Sequence, residues 1–121
     1  MNLAKIKEIL RADLIVASSL EIRIRMVCAC DLMSDVLSYA KIQSGSLLLT
    51  NLAHTQAVRT AEMAEITAIC FVRGKKPEGL AIDLARKNGI ALLSSPISLY
   101  EASGLLYKKG LPGWDECGGV K

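Results

Sequence analysis

The sequence predicts a single α/β domain, a sandwich in which helices cover both faces of a mostly parallel sheet. Three aliphatic runs begin at residues 46, 67 and 90, at spacings of 21 and then 23 residues, and amphipathic segments separate them. This alternation is typical of strands joined by crossover helices. Each run is almost continuously aliphatic, as in parallel strands buried on both faces. The 121 residues, 51% of them hydrophobic, suit one domain with a sizeable core.

The first 30 residues predict one helix and two strands. Asn2 is a suitable N-cap, and apolar residues follow it at helical spacing up to Leu10. Asp13 to Ala17 is a short apolar run, which predicts a strand. In residues 22–26 isoleucine and methionine alternate with arginine, which predicts a half-buried strand that continues into a more buried run, Val27 to Cys30.

A helix carrying Leu37 and Ala40 is expected next, capped by Asp31 or Ser34 and ending at Ser44–Gly45. Three buried strands are then predicted with the following bounds: Ser46 to Thr50, Thr67 to Val72 and Ile90 to Ser94.

The helices between and after these strands carry recognisable ends. Thr55 is a suitable cap for the first, which turns small residues toward the sheet: Ala57, Ala61 and Ala64. Pro77 is expected at the first position of the second, which ends at Asn88–Gly89 and buries one face: Leu80, Ala81 and Leu84. Ser98 and Glu101 predict a capping box for a last helix that ends at Gly110.

Residues 1–110 are therefore predicted to form the domain, and residues 111–121, rich in Gly and Pro, a flexible C-terminal tail. Cysteines stand at positions 28, 30, 70 and 117. They predict reduced thiols rather than disulfides, with only Cys117 exposed and oxidisable. The one histidine and the cysteine spacing do not supply the four ligands of a zinc site, so neither a metal nor a cofactor is predicted.

Charge and hydropathy narrow the class of partner. The net charge of +3 is spread along the chain without a run of five basic residues, so the sequence predicts an ordinary solvated surface and no nucleic-acid partner. Lysines and a glutamate interrupt the apolar residues of the N-terminus, unlike a signal peptide, and the longest uncharged stretch, residues 42–58, is too polar for a bilayer. A cytoplasmic protein without a membrane partner is expected.

Ligands of open parallel sheets bind beyond the carboxyl ends of the strands, where helix N-termini offer unpaired N–H groups. Three loops lie there in the predicted fold, and the second is basic and contains a glycine, which suits a phosphate or a carboxylate. The alternative for every one of these residues is a capping, turn or solvated role. The candidate ligand-binding residues are Thr50, Asn51, His54, Thr55, Arg73, Gly74, Lys75, Ser94 and Ser95.

Familiar catalytic motifs are missing from the sequence. The phosphate loop of nucleotide hydrolases needs a glycine and a hydroxyl where this chain has Ile69 and Lys76. His54 has no nucleophile or orienting carboxylate at motif spacing, and it is interpreted as a polar loop residue with a base role as the alternative. No catalytic residue is predicted.

Several segments, in order, resemble stand-alone DRTGG-domain proteins: residues 31–37 (DLMSDVL), 47–50 (LLLT), 59–63 (RTAEM) and 71–75 (FVRGK). The resemblance covers residues 1 to about 113. It implies an α/β fold like that of the N-terminal domain of HPr kinase/phosphorylase, and the role of a regulatory or dimerising module. It also implies a partner in a hydrogenase-like or signalling system. The chain departs from the motif of the family name, with Ala53–His54 in place of Asp-Arg and with only Gly74 kept from Thr-Gly-Gly.

The leading hypothesis is a non-catalytic, homodimeric regulatory domain that senses an anionic small molecule, a nucleotide or a phosphorylated metabolite. The second is a pure protein-interaction module. The third is a small enzyme acting on a phosphorylated metabolite with His54 as acid or base. DNA binding is disfavoured, because no basic recognition helix is visible.

Overall fold

The computed structural model of the chain describes residues 1–17, 19–39 and 45–113. Five helices and five strands alternate within these ranges. They are α1 (Leu3–Ile9), β1 (Asp13–Val16), β2 (Met26–Ala29), α2 (Met33–Tyr39), β3 (Ser46–Thr50), α3 (Thr55–Met63), β4 (Ala68–Phe71), α4 (Gly79–Asn88), β5 (Ala91–Ser94) and α5 (Leu99–Lys108).

The strands form one sheet in the order β1-β5-β4-β3-β2. Strands β2 to β5 are parallel, and β1 alone runs antiparallel to β5 at one edge. All residues of β3, β4 and β5 are buried, as their aliphatic composition predicts. The predicted fold class, a mostly parallel sheet with helices on both faces, is confirmed.

The two faces of the sheet carry separate apolar layers. Helices α2, α3 and α4 pack on one face, where Leu48, Ile69 and Phe71 of the sheet are fully buried. Helices α1 and α5 cover the other face, where Leu47 and Leu93 of the sheet are fully buried. This division follows from the topology, because right-handed crossovers between neighbouring parallel strands all lie on the same side of a sheet.

The prediction for residues 22–30 is wrong in two respects. Ile24 is buried and Arg23 exposed, so the alternation exists, but this segment pairs with the start of the chain through Asn2 and Arg23 rather than within the sheet. The strand that follows is an edge strand, so its residues are less buried than expected. Cys28 and Cys30 are only partly buried, whereas Cys70 in the centre is fully buried.

Burial of the Cys70 thiol raises its pKa to about 12, because an apolar environment penalises the thiolate. Cys70 is therefore an unreactive core residue. Cys117 lies outside the described residues.

Two helix starts differ in detail from the prediction, and a third agrees with it. The N-cap of α3 is His54, and Thr55 is the first helical residue. Helix α4 begins at Gly79, so Pro77 precedes the helix by two residues, and Leu80, predicted in the core, is 72% exposed. The cap of α5 is as predicted: the Ser98 side chain accepts a hydrogen bond from the Glu101 N–H.

The end of the described chain lies along β2. Leu111 is buried, and the Val27 N–H donates to the Pro112 carbonyl at 3.0 Å, so residues 111–113 of the predicted tail lie against the sheet edge. Residues 114–121, with the rest of that tail, fall outside the described ranges. None of the helices described here has the length and apolarity to cross a bilayer.

Candidate functional site

The carboxyl ends of β4 and β5 form the point where the chain changes sides of the sheet. The loop after β4 leads to α4 on one face, whereas the loop after β5 leads to α5 on the opposite face. Open α/β sheets hold ligands beyond the carboxyl ends of neighbouring strands whose loops diverge in this way. The predicted residues Arg73, Gly74, Lys75, Ser94 and Ser95 all lie at this point.

A tight turn follows β4, and we call residues 72–75 the basic turn. Lys75 N–H donates to the Val72 carbonyl at 3.1 Å across the turn, and both central residues have positive φ, 57° at Arg73 and 72° at Gly74. Glycine accepts this conformation freely, while for arginine it costs free energy and persists only if the surroundings impose it.

The surroundings that impose this conformation come from the segment after β5. The Arg73 N–H donates to the Ile97 carbonyl and the Gly74 N–H to the Ser95 carbonyl, both at 2.8 Å. The backbone N–H groups of the turn are thus already paired and do not form a cradle for an anion. What the turn presents to solvent is the exposed side chains of Arg73 and Lys75.

Ser94 and Ser95 lie beneath the basic turn, and both are buried. The Ser94 hydroxyl donates to the Lys75 carbonyl at 2.6 Å, and the Ser95 hydroxyl donates to the Leu10 carbonyl at 2.7 Å. These two hydroxyls tie the turn and the end of α1 to β5. In this structure they hold the basic turn from below and do not face solvent.

Thr50 and Asn51 lie at the end of β3 and are brought together by Asp31. The Asp31 carboxylate accepts from the Thr50 hydroxyl at 2.9 Å, the Asn51 N–H at 2.7 Å and the Asn51 side-chain amide at 3.0 Å. Asn51 Oδ1 is buried and accepts no hydrogen bond from the described part of the chain. Asp31 therefore fixes the loop after β3 instead of capping α2.

Opposing effects act on the pKa of Asp31. Partial burial raises it, but the hydrogen bonds from Asn51 and Thr50 stabilise the carboxylate and together hold the pKa below its usual value. A carboxyl with a lowered folded-state pKa contributes stability above its unfolded pKa and loses that contribution as the pH falls through the folded value.

We therefore expect Asp31→Asn to lower the free energy of unfolding by about 1 kcal/mol at pH 7, since it weakens charge-assisted hydrogen bonds at an exposed site. The difference from the wild type should shrink as the pH falls through the folded-state pKa. Urea unfolding at a series of pH values measures it. Asp35→Asn on α2 is the control, and a difference that is constant with pH would contradict the assignment.

His54 and Thr55 meet a second carboxylate, Glu78. Glu78 is the N-cap residue of α4, yet its side chain reaches the start of α3, where it accepts from the Thr55 hydroxyl at 2.6 Å and the Thr55 N–H at 3.1 Å. These bonds, with a smaller contribution from the nearby His54 charge, lower the Glu78 pKa. The N-terminus of α3 is thus occupied by a carboxylate of the chain itself.

The start of α4 is different, because the side chain of its N-cap residue, Glu78, makes no capping hydrogen bond. The first N–H groups of α4 carry the partial positive charge of a helix N-terminus and are not bound by this side chain. Lys76, just before it, forms an exposed ion pair with Asp13 at 3.2 Å. In the described ranges no ion pair involves Arg73 or Lys75.

The nine predicted residues thus separate into three groups. Arg73, Gly74 and Lys75 form the basic turn above the buried serines, Thr50 and Asn51 bind Asp31, and His54 and Thr55 lie beside Glu78. Sequence reasoning missed the two carboxylates as site residues. Asp31 comes two residues after the end of β2, and Glu78 comes directly before α4. These positions at the carboxyl edge of the sheet were the signal that could have identified both as site residues. Among the residues described, no three His, Cys, Asp or Glu side chains cluster in a way that would hold a metal ion.

A separate groove of about 530 Å³ lies away from these loops, between α5 and the edge strand β2. Its lining is largely apolar, with Val27 and Ala29 on the strand side and Tyr100 and Tyr107 on the helix side. No local pattern in the sequence predicts this groove, because it exists only where α5 leaves the last strand of the sheet uncovered.

Sheet topology and loop geometry together define a small open α/β domain with its basic turn at the point where the chain changes faces. No protein-family model matches the chain. No curated protein matches it either.

Among solved structures, the chain is similar to the CBS and DRTGG domains of the regulatory region of Clostridium perfringens pyrophosphatase, solved with its activator, diadenosine tetraphosphate. The TM-score is 0.65 at 18% sequence identity, and the match covers 87% of this chain but only 45% of that one. This chain therefore spans less than half the length of its structural neighbour. The likeness confirms the DRTGG-like fold that the sequence segments predict.

Proposed function

We propose that this chain is a cytoplasmic, non-catalytic regulatory domain that acts as a homodimer and senses an anionic small molecule, a nucleotide or a phosphorylated metabolite. The observation that carries the proposal is the basic turn. Arg73 is held in a left-handed conformation by two hydrogen bonds from the turn to the segment before α5, at the point of the sheet where ligands of such folds bind.

The contacts of the turn define how an anion would be held. The side chains of Arg73 and Lys75 supply the positive charge, since the backbone N–H groups between them are used internally. The uncapped N-terminus of α4 adds a partial positive charge nearby. Arginine is suited to phosphate because its guanidinium donates two parallel hydrogen bonds to it. The activator bound by the regulatory region of the pyrophosphatase, a nucleotide polyphosphate, is of this chemical class.

Regulation would proceed by a population shift. A ligand that binds one arrangement of the domain more tightly than another favours that arrangement by the ratio of the two affinities. The basic turn is hydrogen-bonded to Ile97, and Ser98 caps α5 directly after it. A ligand that displaces Arg73 would therefore also displace Ile97 and the start of α5.

Thermal unfolding with added ligands tests the proposal. ATP, diadenosine tetraphosphate, acetyl phosphate and inorganic phosphate are compared, and a ligand at 100 times its Kd adds about 2.7 kcal/mol to the free energy of unfolding. Arg73→Gly keeps the left-handed backbone and removes the guanidinium, so we expect its affinity to fall by roughly tenfold or more while its own stability is kept. Lys75→Ala should act in the same direction.

Lys87→Ala, at the far end of α4, is the matched control and should respond as the wild type does. An Arg73→Gly protein that keeps the full response to every ligand would remove the basic turn from the proposal.

The groove beside α5 favours a second candidate, a protein-interaction module that binds no small molecule. Apolar grooves with exposed aromatic rings are common at protein interfaces. A stable assembly whose melting temperature responds to none of the four ligands would favour this candidate over the sensor.

A further inference from the structure

The exposed face of α5 has an unusual shape. Tyr100 and Tyr107 are 90% and 63% exposed, and their spacing of seven residues places them on the same face of the helix. Gly104 lies between them, is exposed, and would have nothing within 4 Å of an added Cβ. The helix surface is therefore low at its centre and carries a large ring at each end.

The charges on this face reverse from one end to the other. Glu101 lies in the first turn of α5 and Lys108 in the last, and both are exposed and border the same groove. If the helix is reversed end to end, each tyrosine takes the place of the other and the acidic end takes the place of the basic end. The face is thus complementary to an antiparallel copy of itself.

We propose that α5 packs antiparallel against α5 of a second copy of this chain, with Gly104 next to the two-fold axis. Each Glu101 then faces Lys108 of the other copy, so that the ion pair occurs twice. This inference rests on the homodimer of the proposed function and assigns its face.

The groove supplies the place for the aromatic rings. It is adjacent to the α5 face, its volume of about 530 Å³ exceeds the space that a tyrosine side chain needs, and its lining is largely apolar. A ring from the second copy that enters it removes apolar surface from water on both chains. Because Gly104 has no side chain, the two helices can approach closely at this point.

A second copy fits this face better than an unrelated protein does. In a two-fold interface the same patch occurs on both sides, so every contact between two different residues occurs twice, once in each direction. The charges of Glu101 and Lys108, on opposite sides of Gly104, meet that requirement, so the face is complementary to itself. Helix α5, which carries this face, begins directly after Ile97, whose carbonyl accepts a hydrogen bond from the Arg73 N–H, so this helix links the face to the basic turn.

Sedimentation of the full chain tests the assignment through a charge exchange. Glu101→Lys and Lys108→Glu each replace two attractive pairs by two repulsive ones, and each should raise the dimer Kd roughly tenfold. The double variant, Glu101→Lys with Lys108→Glu, restores opposite charges and should return the Kd to within about threefold of the wild type. Glu8→Lys on α1, also an exposed helix glutamate in an ion pair, is the control and should leave the Kd unchanged.

Thermal melts of the four variants measure their stability. They are needed because Glu101→Lys and Lys108→Glu each place an unfavourable charge at an end of the α5 dipole. The double variant carries both of these unfavourable charges and should be the least stable. If it nevertheless dimerises like the wild type, a gain in stability cannot be the cause. A dimer that both single variants leave intact would overturn the assignment of the face and keep the homodimer. A monomeric wild type would overturn the homodimer as well. Ligand sensing would still be tested separately, by comparing the ligand-induced shift in melting temperature of the wild type with that of Arg73→Gly.

Discussion

Replacement of Phe71 by alanine is expected to lower the free energy of unfolding by about 3–5 kcal/mol. Phe71 is the only phenylalanine of the chain, and it is fully buried on β4, the central strand of the sheet. Domains of this size have a total stability of about 5–15 kcal/mol, so the change removes a large part of it.

The helices above Phe71 explain why the loss should lie at the upper end of the range for buried side chains. Helices α3 and α4 face this layer with small side chains, namely Ala57, Ala61, Ala81 and Ala85. Alanines have no rotamers that could move into the space left by the ring, and the cavity therefore stays largely open.

Urea unfolding followed by far-UV circular dichroism measures this effect. Leu80→Ala is the control, since the Leu80 side chain is 72% exposed and its loss should change the free energy of unfolding by less than about 0.5 kcal/mol. If Phe71→Ala cost no more than Leu80→Ala, the packing described for this layer would be wrong.

Ser95→Ala is expected to cost about 2–3 kcal/mol, which is large for the loss of one oxygen atom. The Ser95 side chain is fully buried, donates to the Leu10 carbonyl and accepts from the Ile97 N–H at 3.2 Å. Alanine leaves both of these backbone groups without their partner, and an unsatisfied buried group costs about 1–3 kcal/mol.

The control for this variant is Ser38→Ala on α2, where the exposed hydroxyl donates to the Ser34 carbonyl of its own helix. That change should be close to neutral. Equal stability of the two variants in urea unfolding would show that the Ser95 hydroxyl does not join α1 to β5. We also expect Ser95→Ala to weaken any response that depends on Arg73, because the Ser95 carbonyl anchors the basic turn.

Most of the fold was predictable because its causes are local. The aliphatic runs of β3, β4 and β5 require burial on both faces, and the helix caps Asn2 and Ser98 satisfy N–H groups three residues away. The end of α4 at Gly89, which adopts the left-handed conformation, is likewise predictable from local sequence. Such contacts lie within one element and leave a direct trace in the order of residues.

The candidate site was predictable only in part. Parallel strands end at a common edge, so the loops after β3, β4 and β5 were correctly expected there. The roles of single residues were not, because they depend on partners in other segments. Thr55 meets a carboxylate 23 residues further along the chain, and Asp31 meets Thr50 across 19 residues.

The sequence by itself determined most of the elements, the burial of β3, β4 and β5 and the edge at which the loops collect, since periodicity and capping act over a few residues. The tertiary structure decided the strand order, and with it the edge position of β2 that leaves Cys28 and Cys30 half-buried. It also decided that Ser95 binds Leu10 across 85 residues and that α5 leaves a groove beside β2. The physical reason is that pairing between distant segments depends on which strands become neighbours and on which face each helix packs, and no local pattern encodes either choice.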